Sequence, residues 1–172
     1  MFSGKTTELI RRIDTIDPKP LVFKHSFDIR YDSTGIVNHK GDIRTARAVA
    51  YSEDINIFVN RECGRGDGYI CIDEAQFFDP TIVSHVTEWK RRGYHIVIAG
   101  LDLDSKGKDF GSMRELSNIA DCVIHLRAQC KCGGVATYTI RKGDSASVIQ
   151  VGGSELYTPV CTGCYNSAAT IV

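Results

Sequence analysis

Short apolar runs alternate with helical patterns through residues 1–127, and this alternation constrains the fold more than any other feature of the sequence. Each run is continuous, which is typical of strands buried on both faces of a parallel sheet. Helices between such strands indicate an α/β fold with crossover connections. The runs are Leu21–Phe23, Tyr69–Ile72 and Ile96–Ala99, and a further strand is expected at Val123–Leu126.

Three helices are predicted between these runs. The first spans residues 6–16. The second is expected to take Asp79 as its N-cap, with proline at its first helical position, and to end at Gly93. In the third, Ser112 and Glu115 have the spacing of a capping box.

The composition changes near Ala128, where cysteine and glycine become frequent. Short β-like runs follow at residues 136–140 and 148–151. We therefore predict two domains: an α/β domain over residues 1–127 and a small metal-stapled β domain over residues 128–172. The polar, glycine-containing segment 33–42 is expected to be a mobile loop.

The charge and cysteine content exclude several classes of protein. Of the 172 residues, 21 are Lys or Arg and 21 are Asp or Glu, so the basic excess of a general nucleic-acid or membrane-surface binder is missing. No apolar run approaches the roughly 20 residues that span a bilayer, and no signal peptide is visible. We expect a cytoplasmic protein, in which seven cysteines are free thiols or metal ligands.

A phosphate-binding motif opens the chain. Gly4-Lys5-Thr6 matches the second half of the P-loop pattern, in which backbone N–H groups and a helix N-terminus hold phosphate oxygens. Lys5 is expected to reach the β- and γ-phosphates, and the Thr6 hydroxyl to bind Mg²⁺. The first glycine of the pattern would lie two residues before Met1, and the strand that feeds the loop is missing, so we expect the sequence to be short at its N-terminus. A capped helix start is the alternative.

Two carboxylates follow the second apolar run. Asp73 ends the strand in the position of a Walker-B aspartate, which holds Mg²⁺ directly or through water. Side chains alternate along an extended chain, so Glu74 is expected to point away from Asp73 and to act as a general base toward a hydroxyl. A strand that simply ends in solvated acids is the alternative.

Four motifs in this order resemble the zinc-containing (type II) class of thymidine kinases across essentially the whole chain. Segments 1–9 and 72–78 are similar to the phosphate loop and acidic motif of that class. Segments 99–111 and 151–164 are similar to its nucleoside pocket, substrate-covering loop and second zinc knuckle. The resemblance implies a RecA-like P-loop NTPase sheet with helices on both faces, and a small zinc-binding β domain with a lasso-like loop.

The resemblance also implies roles for individual residues. Glu74 would take the proton of the nucleoside 5′-hydroxyl, and Arg30 would offset charge in the transition state. Asp28 would lie near the phosphates and Mg²⁺. Phosphate contacts would come from Ser3, Gly4, Lys5, Thr6 and Thr7. The nucleoside would be bound by Gln76, Phe77, Leu101, Phe110, Thr139, Val151, Gly152, Gly153 and Tyr157.

Alternatives remain for several of these residues. Phe77 and Phe110 could be ordinary core aromatics. Asp28 and Arg30 could form a surface ion pair of little energetic worth. The family usually has an aromatic residue where Ser105 stands, so an apolar contact with the base would be lost unless a neighbour replaces it.

Four cysteines are candidates for a structural zinc site. Cys161 and Cys164 have C-x-x-C spacing, whereas Cys130 and Cys132 form a tighter C-x-C pair. Four thiolates suit tetrahedral Zn²⁺, which would have no open position for catalysis. The alternative is four free thiols. The remaining cysteines, Cys63, Cys71 and Cys122, are expected to play no part.

The function implied by the resemblance is transfer of the γ-phosphoryl group of Mg²⁺-bound ATP to the 5′-hydroxyl of thymidine. Relatives are expected to form homotetramers and to be inhibited by thymidine triphosphate. A P-loop ATPase or helicase-like protein is one alternative, since Asp73-Glu74-Ala75-Gln76 also resembles a helicase motif. An N-terminally truncated, inactive fragment is another.

Overall fold

A four-stranded parallel sheet lies at the centre of the computed structural model, which describes residues 1–28, 35–38, 40–62, 68–141 and 155–169. The helices are α1 (Lys5–Thr15), α2 (Ser52–Glu62), α3 (Ile82–Arg91), α4 (Met113–Ile119) and α5 (Thr162–Ala169). The strands are β1 (Leu21–His25), β2 (Gly35–Val37), β3 (Ile43–Thr45), β4 (Arg47–Val49), β5 (Tyr69–Asp73), β6 (His95–Ile98), β7 (Ala128–Gln129), β8 (Val135–Ala136), β9 (Tyr138–Arg141) and β10 (Tyr157–Val160).

The sheet has the order β4-β1-β5-β6, and helices cover both of its faces. On one face, Phe23, Ile70 and Ile72 pack with buried residues of α2, α3 and α4. On the other face, Val22 and Cys71 pack against α1. The predicted α/β class is therefore confirmed, because each continuous apolar run supplies both layers of the core.

Three predicted strands and most of the helix signals agree with the structure. The runs predicted near residues 21, 69 and 96 are β1, β5 and β6, and α1 has its predicted place. Gly93 follows α3 with a φ of 92°, as expected for a C-terminal glycine. Ser112 is the N-cap residue of α4, but its side chain forms no capping hydrogen bond.

Two predictions about local structure are wrong. The carboxylate of Asp79 accepts hydrogen bonds from the backbone nitrogens of Ser52 at 2.8 Å and Thr81 at 3.2 Å, and α3 begins only at Ile82, with Thr81 as its N-cap residue. In the segment expected to be a loop, β2 pairs with β3 in an antiparallel hairpin. Residues 33, 34 and 39 of that segment lie outside the described residues.

The expected strand at Val123–Leu126 is also not formed. This segment belongs to no helix or strand within the described part of the chain. Val123 is 44% exposed and Ile124 is 55% exposed. Its apolar residues have strand propensity, but a strand also requires a neighbour to supply its hydrogen bonds.

The C-terminal part is built from two small antiparallel ladders and one helix. β7 pairs with β8, and β9 pairs with β10. Helix α5 packs on the second ladder. In the described ranges of this part, Cys130, Ala136 and Val160 form one buried cluster. The run expected at residues 148–151 lies outside the described residues.

Candidate active site and cysteine cluster

The phosphate-loop candidate lies at the carboxyl edge of the sheet. Gly4 precedes α1 with a φ of 81°, a conformation that favours glycine, and its carbonyl accepts a hydrogen bond from the nitrogen of Glu8 at 2.9 Å. The first N–H groups of α1 have no partner within the helix. Ser3 lies just before this helix, and Lys5, Thr6 and Thr7 are its first residues. The Lys5 ammonium is close enough to Asp73 to favour the ionised carboxylate, so it and the positive end of α1 face the same edge.

A direct hydrogen bond joins the phosphate loop to the acidic strand end. Thr6 Oγ1 donates to Asp73 Oδ2 at 3.1 Å, although the two residues are 67 positions apart in the sequence. Asp73 is 2% exposed, and its other oxygen accepts the backbone N–H of Glu74 at 3.0 Å. A buried carboxylate beside a hydroxyl is the kind of oxygen donor set that Mg²⁺ prefers.

Burial sets the electrostatics of this pair. It raises the pKa of Asp73 to about 7, and the neighbouring Glu74 carboxylate adds to the rise, while the Lys5 ammonium acts in the opposite direction. A divalent cation at Asp73 would favour the ionised form still more strongly than Lys5 does. The charges of these residues therefore fit a site that is completed by a cation.

Glu74 has a strained backbone and an oriented side chain. Its φ of 53° and ψ of 43° lie in the left-handed region, and it is 7% exposed. Gln76 Nε2 donates to its carboxylate at 2.5 Å, and Gln76 Oε1 in turn accepts the N–H of Leu101 at 3.0 Å. Strain at a buried carboxylate held in this way is typical of a functional position. The strand ends at Asp73, so Glu74 takes its direction from this turn and not from the strand alternation that we expected.

The predicted aromatic residues of the nucleoside site lie next to this carboxylate. The rings of Phe77 and Phe110 meet edge to face, with centroids 5.6 Å apart, and both are half-buried. Gly111, directly after Phe110, has a φ of 54°, and a Cβ there would lie 2.1 Å from the Gln76 carbonyl oxygen. This contact packs the Phe110 segment against Gln76. Leu101 and Ser105, which precede Phe110 in the sequence, are also half-buried.

Two other predicted residues lie in the C-terminal ladder. Thr139 of β9 accepts a hydrogen bond from the Met1 nitrogen at 2.9 Å, so β9 reaches the start of the phosphate loop. Tyr157 is buried in β10, opposite Arg141. Asp28 is half-buried after β1. The predictions for Arg30, Val151, Gly152 and Gly153 lie outside the described residues.

Sequence reasoning missed Lys24, which is 2% exposed. It is the register partner of Asp73 in the β1–β5 ladder, and its Nζ donates to the Asp28 carbonyl at 3.1 Å. A lysine directly after an apolar run predicts the solvated end of a strand. Only the pairing of β1 with β5 shows that this cation lies beside the acidic strand end.

Sequence reasoning also missed Phe27. This side chain is 56% exposed, and its ring lies 5.2 Å from that of His25 and 6.3 Å from that of Phe77. His25 itself is buried, with Nδ1 accepting the Phe27 N–H at 3.0 Å and Nε2 lying 2.9 Å from the Ala50 carbonyl oxygen. Burial lowers the pKa of His25. An exposed ring beside Phe77 could have been suspected from its place just before Asp28.

The four candidate cysteines meet in one cluster. The sulfur atoms of Cys130, Cys132, Cys161 and Cys164 all lie within 4.8 Å of one another, and those of Cys132 and Cys161 are 3.6 Å apart. Sulfurs about 2.3 Å from a tetrahedral zinc would be roughly 3.8 Å apart. A turn closed by Gly133, with a φ of 89°, brings the two sulfurs of the C-x-C pair together.

The charges of the cluster also fit a metal ion. Hydrogen bonds from the backbone of Cys132 and Cys161 lower the pKa of Cys130 to about 6. The neighbouring sulfurs, Cys132 first, raise the pKa of Cys164 to about 12. Hydrogen bonds, that from the backbone of Cys164 first, also lower the pKa of Cys161. Two of the thiols therefore ionise more readily than usual, and ionising all four at this separation requires a cation. Cys71 is buried in β5 and Cys122 is exposed, both away from the cluster, whereas Cys63 lies outside the described residues.

None of the helices in the described ranges combines the length and the apolar character needed to cross a membrane.

Comparison with known proteins gives one family. Residues 1–165 match the family model described as "Thymidine kinase". Proteins named thymidine kinase from two strains of Porphyromonas gingivalis are each 35% identical over 178 aligned residues, which cover 99% of this chain and 83% of the relative. The match spans both the parallel sheet and the cysteine cluster, which favours a nucleoside kinase over the ATPase or helicase alternative.

Proposed function

Because the chain belongs to the thymidine kinase family, we propose that it transfers the γ-phosphoryl group of ATP to the 5′-hydroxyl of thymidine, giving thymidine monophosphate. The observation that carries this proposal is the 3.1 Å hydrogen bond between Thr6 and Asp73. It brings a helix N-terminus suited to phosphates, a buried carboxylate suited to a cation and the strained Glu74 to one edge of the sheet.

ATP would bind at the start of α1. The backbone N–H groups of residues 3–7 would hold the phosphate oxygens, and Lys5 would contact the β- and γ-phosphates. Thr6 and Asp73 would hold Mg²⁺, with Asp28 close by. When bound, this ion would neutralise charge on the phosphates. The Lys24 hydrogen bond to the Asp28 carbonyl would position Asp28 beside the acidic strand end.

Glu74 would act as the general base. Its carboxylate would accept the proton of the thymidine 5′-hydroxyl as the oxygen attacks the γ-phosphorus and the bond to the β-phosphate oxygen breaks. Gln76 would hold the carboxylate in place through its 2.5 Å hydrogen bond. Burial favours this step because the carboxylate is poorly hydrated and its direction is fixed before the substrate arrives. Arg30 would offset charge on the transferred group.

The thymine ring would bind against Phe77 and Phe110. Leu101 would add apolar contact, and the exposed ring of Phe27 would replace the aromatic contact that Ser105 does not supply. Hydrogen bonds to the base edge would come from Thr139 and the backbone of residues 151–153, under cover of Tyr157. Backbone groups have fixed positions and reject a base that leaves them unpaired.

The cysteine cluster would hold a structural Zn²⁺ through all four sulfurs. Its task would be to fix β9 and β10, which carry Thr139 and Tyr157, because few apolar residues are buried there. Assembly as a homotetramer, inhibition by thymidine triphosphate and a cytoplasmic location also belong to this proposal, from the resemblance alone.

The test is a direct assay of the purified chain with thymidine and Mg-ATP, with thymidine monophosphate measured by chromatography. The substitution Glu74→Gln removes the general base but keeps the size of the side chain. We therefore expect the rate of thymidine monophosphate formation to fall by about 10²–10⁴-fold. Glu115→Gln, on the exposed side of α4, is the matched control and should leave the rate unchanged.

Two results would contradict the proposal. One is formation of no thymidine monophosphate while ATP hydrolysis responds to DNA, as a motor ATPase would do. The other is an equal rate for Glu74→Gln and the unaltered chain. Circular dichroism of each variant checks that a lost rate is not lost folding.

A further inference from the structure

Three aromatic rings surround one buried histidine beside the candidate nucleoside site. His25 is the last residue of β1 and is 3% exposed. Three ring centroids lie 4.8–5.9 Å from that of its imidazole, and they belong to Phe27, Phe77 and Phe78. The proposed function assigns two of these rings, Phe27 and Phe77, to the thymine base. An imidazole costs more to bury than an apolar ring, so its presence here calls for a polar role.

The two ring nitrogens of His25 have different partners. Nδ1 accepts the backbone N–H of Phe27 at 3.0 Å, so Nδ1 itself carries no hydrogen. A neutral imidazole then has its hydrogen on Nε2, which lies 2.9 Å from the carbonyl oxygen of Ala50 and donates to it. One tautomer of the neutral ring therefore satisfies both partners. Burial lowers the pKa of His25, which also favours the neutral ring.

The backbone of His25 supports the turn that follows β1. Its carbonyl accepts the N–H of Asp28 at 2.9 Å, and the carbonyl of Val49 in β4 accepts the N–H of Ser26 at 2.8 Å. Together with the contact to Nδ1, the amides of residues 26–28 all have partners on His25 or on β4. Only the middle one of these bonds, that of Phe27, depends on the side chain at position 25.

The ring of Phe27 needs such support because burial does not hold it. It is 56% exposed, and it lies at 9° to the imidazole plane and 6.3 Å from the ring of Phe77. One side chain, His25, thus stacks on the ring of Phe27 and also binds its N–H. A phenylalanine at position 25 could stack in the same way but could not accept this hydrogen bond. An aromatic side chain that is held before the substrate arrives loses less entropy on binding.

We propose that His25 is a positioning residue for nucleoside binding, in which the Nδ1 acceptor and the stacked ring hold Phe27 beside Phe77 as a surface for the thymine base. This inference rests on the proposed function, which places the base against these rings. His25 would act through Phe27, so its loss should weaken the binding of thymidine. The Asp28 contact uses the backbone carbonyl of His25, which a substitution retains, so the chemical step should be unaffected.

Two substitutions separate the roles of the two nitrogens. His25→Asn puts Oδ1 in the place of Nδ1, so it keeps an acceptor for the N–H of Phe27 and loses the donor to Ala50. His25→Gln puts an amide N–H near the place of Nε2, so it keeps the contact with Ala50 and loses the acceptor. The matched controls are the same substitutions at His95, an exposed residue that stacks on Tyr69 where β5 and β6 begin.

Hydrogen exchange of the Phe27 amide, measured by NMR, is the direct readout. His25→Gln should speed this exchange by at least about tenfold, whereas His25→Asn should stay close to the unaltered chain. The KM for thymidine should rise by about three- to tenfold in His25→Gln and by less in His25→Asn. The kcat should not change, because the contact that is lost contributes equally to the ground state and the transition state. Both His95 variants should match the unaltered chain.

A double-mutant cycle tests whether His25 acts through Phe27. Phe27→Ala should raise the KM for thymidine at least as much as His25→Gln does. The double variant should have the KM of Phe27→Ala alone, because His25 then has no ring to position. A residue that merely stabilised the fold would instead give two independent effects, whose fold-changes multiply.

Four results would overturn the inference. They are unchanged exchange of the Phe27 amide in His25→Gln, equal KM values in His25→Gln and His25→Asn, multiplying effects in the double variant, and an unchanged KM in Phe27→Ala. The last holds even if a substitution at the buried position prevents folding, because Phe27 is exposed. No thymidine monophosphate from the unaltered chain, together with faster exchange in His25→Gln, would place the error in the proposed function. Normal turnover with unchanged exchange would place it in the role of His25.

Discussion

The two parts of the chain differ in how much of their apolar surface is buried. The part of the chain that forms the parallel sheet buries a continuous core in which Phe23, Ile70, Ile72 and Trp89 are fully covered. Among its described residues, the C-terminal part buries Cys130, Ala136 and Val160 in one small cluster. Apolar burial at about 25 cal/mol per Å² can stabilise the first, whereas the described residues of the second bury little apolar surface, so under the proposed function its sulfur cluster would supply the stability.

This difference also explains where strain can occur. Glu74 is held in the left-handed region between the buried β5 and the tightly packed Gly111 segment, so the surrounding core determines its conformation. A residue in such a conformation costs about 1–3 kcal/mol and requires that support. Among the described residues the cysteine region has no core of that size, and Thr139 and Tyr157, its described candidates for the site, lie in β9 and β10.

Replacing one cysteine of the cluster should give the largest effect, and the two regions should respond to it differently. Cys161→Ser breaks a cluster whose apparent zinc binding free energy would be roughly 10–16 kcal/mol, more than the stability of a small domain. We expect loss of bound zinc and of hydrogen-exchange protection in residues 128–141 and 155–169, while β1 and β5 stay protected. Metal analysis and exchange measurements check this.

The control for this change is Cys122→Ser, an exposed cysteine away from the cluster. It should keep both the metal and the protection. Full zinc content and unchanged protection in Cys161→Ser would show that the cluster does not hold the C-terminal part together.

Two glycines, one in each region, allow a sharper comparison. Gly111 has a φ of 54°, and a Cβ there would meet the Gln76 carbonyl at 2.1 Å. Gly133 has a φ of 89° and open space around the same position. Alanine at either site suffers left-handed strain of about 1–2 kcal/mol, but Gly111→Ala adds an overlap with backbone of about 1–3 kcal/mol.

Urea denaturation of the two variants measures this difference. Gly111→Ala should be less stable than Gly133→Ala and should also lose kinase activity, because Gln76 orients Glu74. Equal destabilisation would mean that the Gly111 segment can move away from Gln76, and that the site is less rigid than its packing indicates.

Lowering the pH should destabilise the part of the chain that forms the sheet less than it destabilises the cysteine region. Burial would raise the pKa of Asp79, but hydrogen bonds from Ser52 and Thr81 outweigh it and hold the pKa at about 2. Because the folded pKa is lower than the unfolded value of about 3.9, this contribution is complete above pH 4 and is lost as the pH falls toward 2. Metal–thiolate bonds compete with protons, so zinc should leave at a higher pH.

Asp79→Asn tests that assignment. The variant should be less stable at neutral pH, and its stability should depend less on pH between about 4 and 2 than that of the unaltered chain. Stability is measured by urea denaturation at each pH. Identical pH profiles for the two proteins would show that Asp79 does not link α2 to the start of α3 in solution.

Much of the architecture could be predicted from local patterns. The runs that form β1, β5 and β6 could be recognised because a strand buried on both faces is apolar at every position. Such a run is visible in the sequence without knowledge of the neighbouring strand. The Val123–Leu126 run carried the same signal but formed no strand, since pairing depends on a neighbour. Asp79 was misassigned because its carboxylate is used by Ser52, 27 residues earlier.

The candidate site was predictable as a set of residue types but not as an arrangement. Short motifs pointed to Lys5, Thr6, Asp73 and Glu74. Lys24 could not be recognised, because its importance depends on its register with Asp73 across the sheet. The bend at Glu74 depends on Gln76 and Leu101, which no local pattern connects.

The sequence by itself determined the groups available for chemistry: a Gly-Lys-Thr helix start of the kind that suits phosphates, two carboxylates after a buried strand and four cysteines. These are properties of residue type and short spacing, which act within a few positions of the chain. The tertiary structure decided which of these groups meet, as in the contact of Thr6 with Asp73 and the gathering of the four sulfurs. Such contacts join residues far apart in sequence, and only the packing of strands and helices brings them within bonding distance.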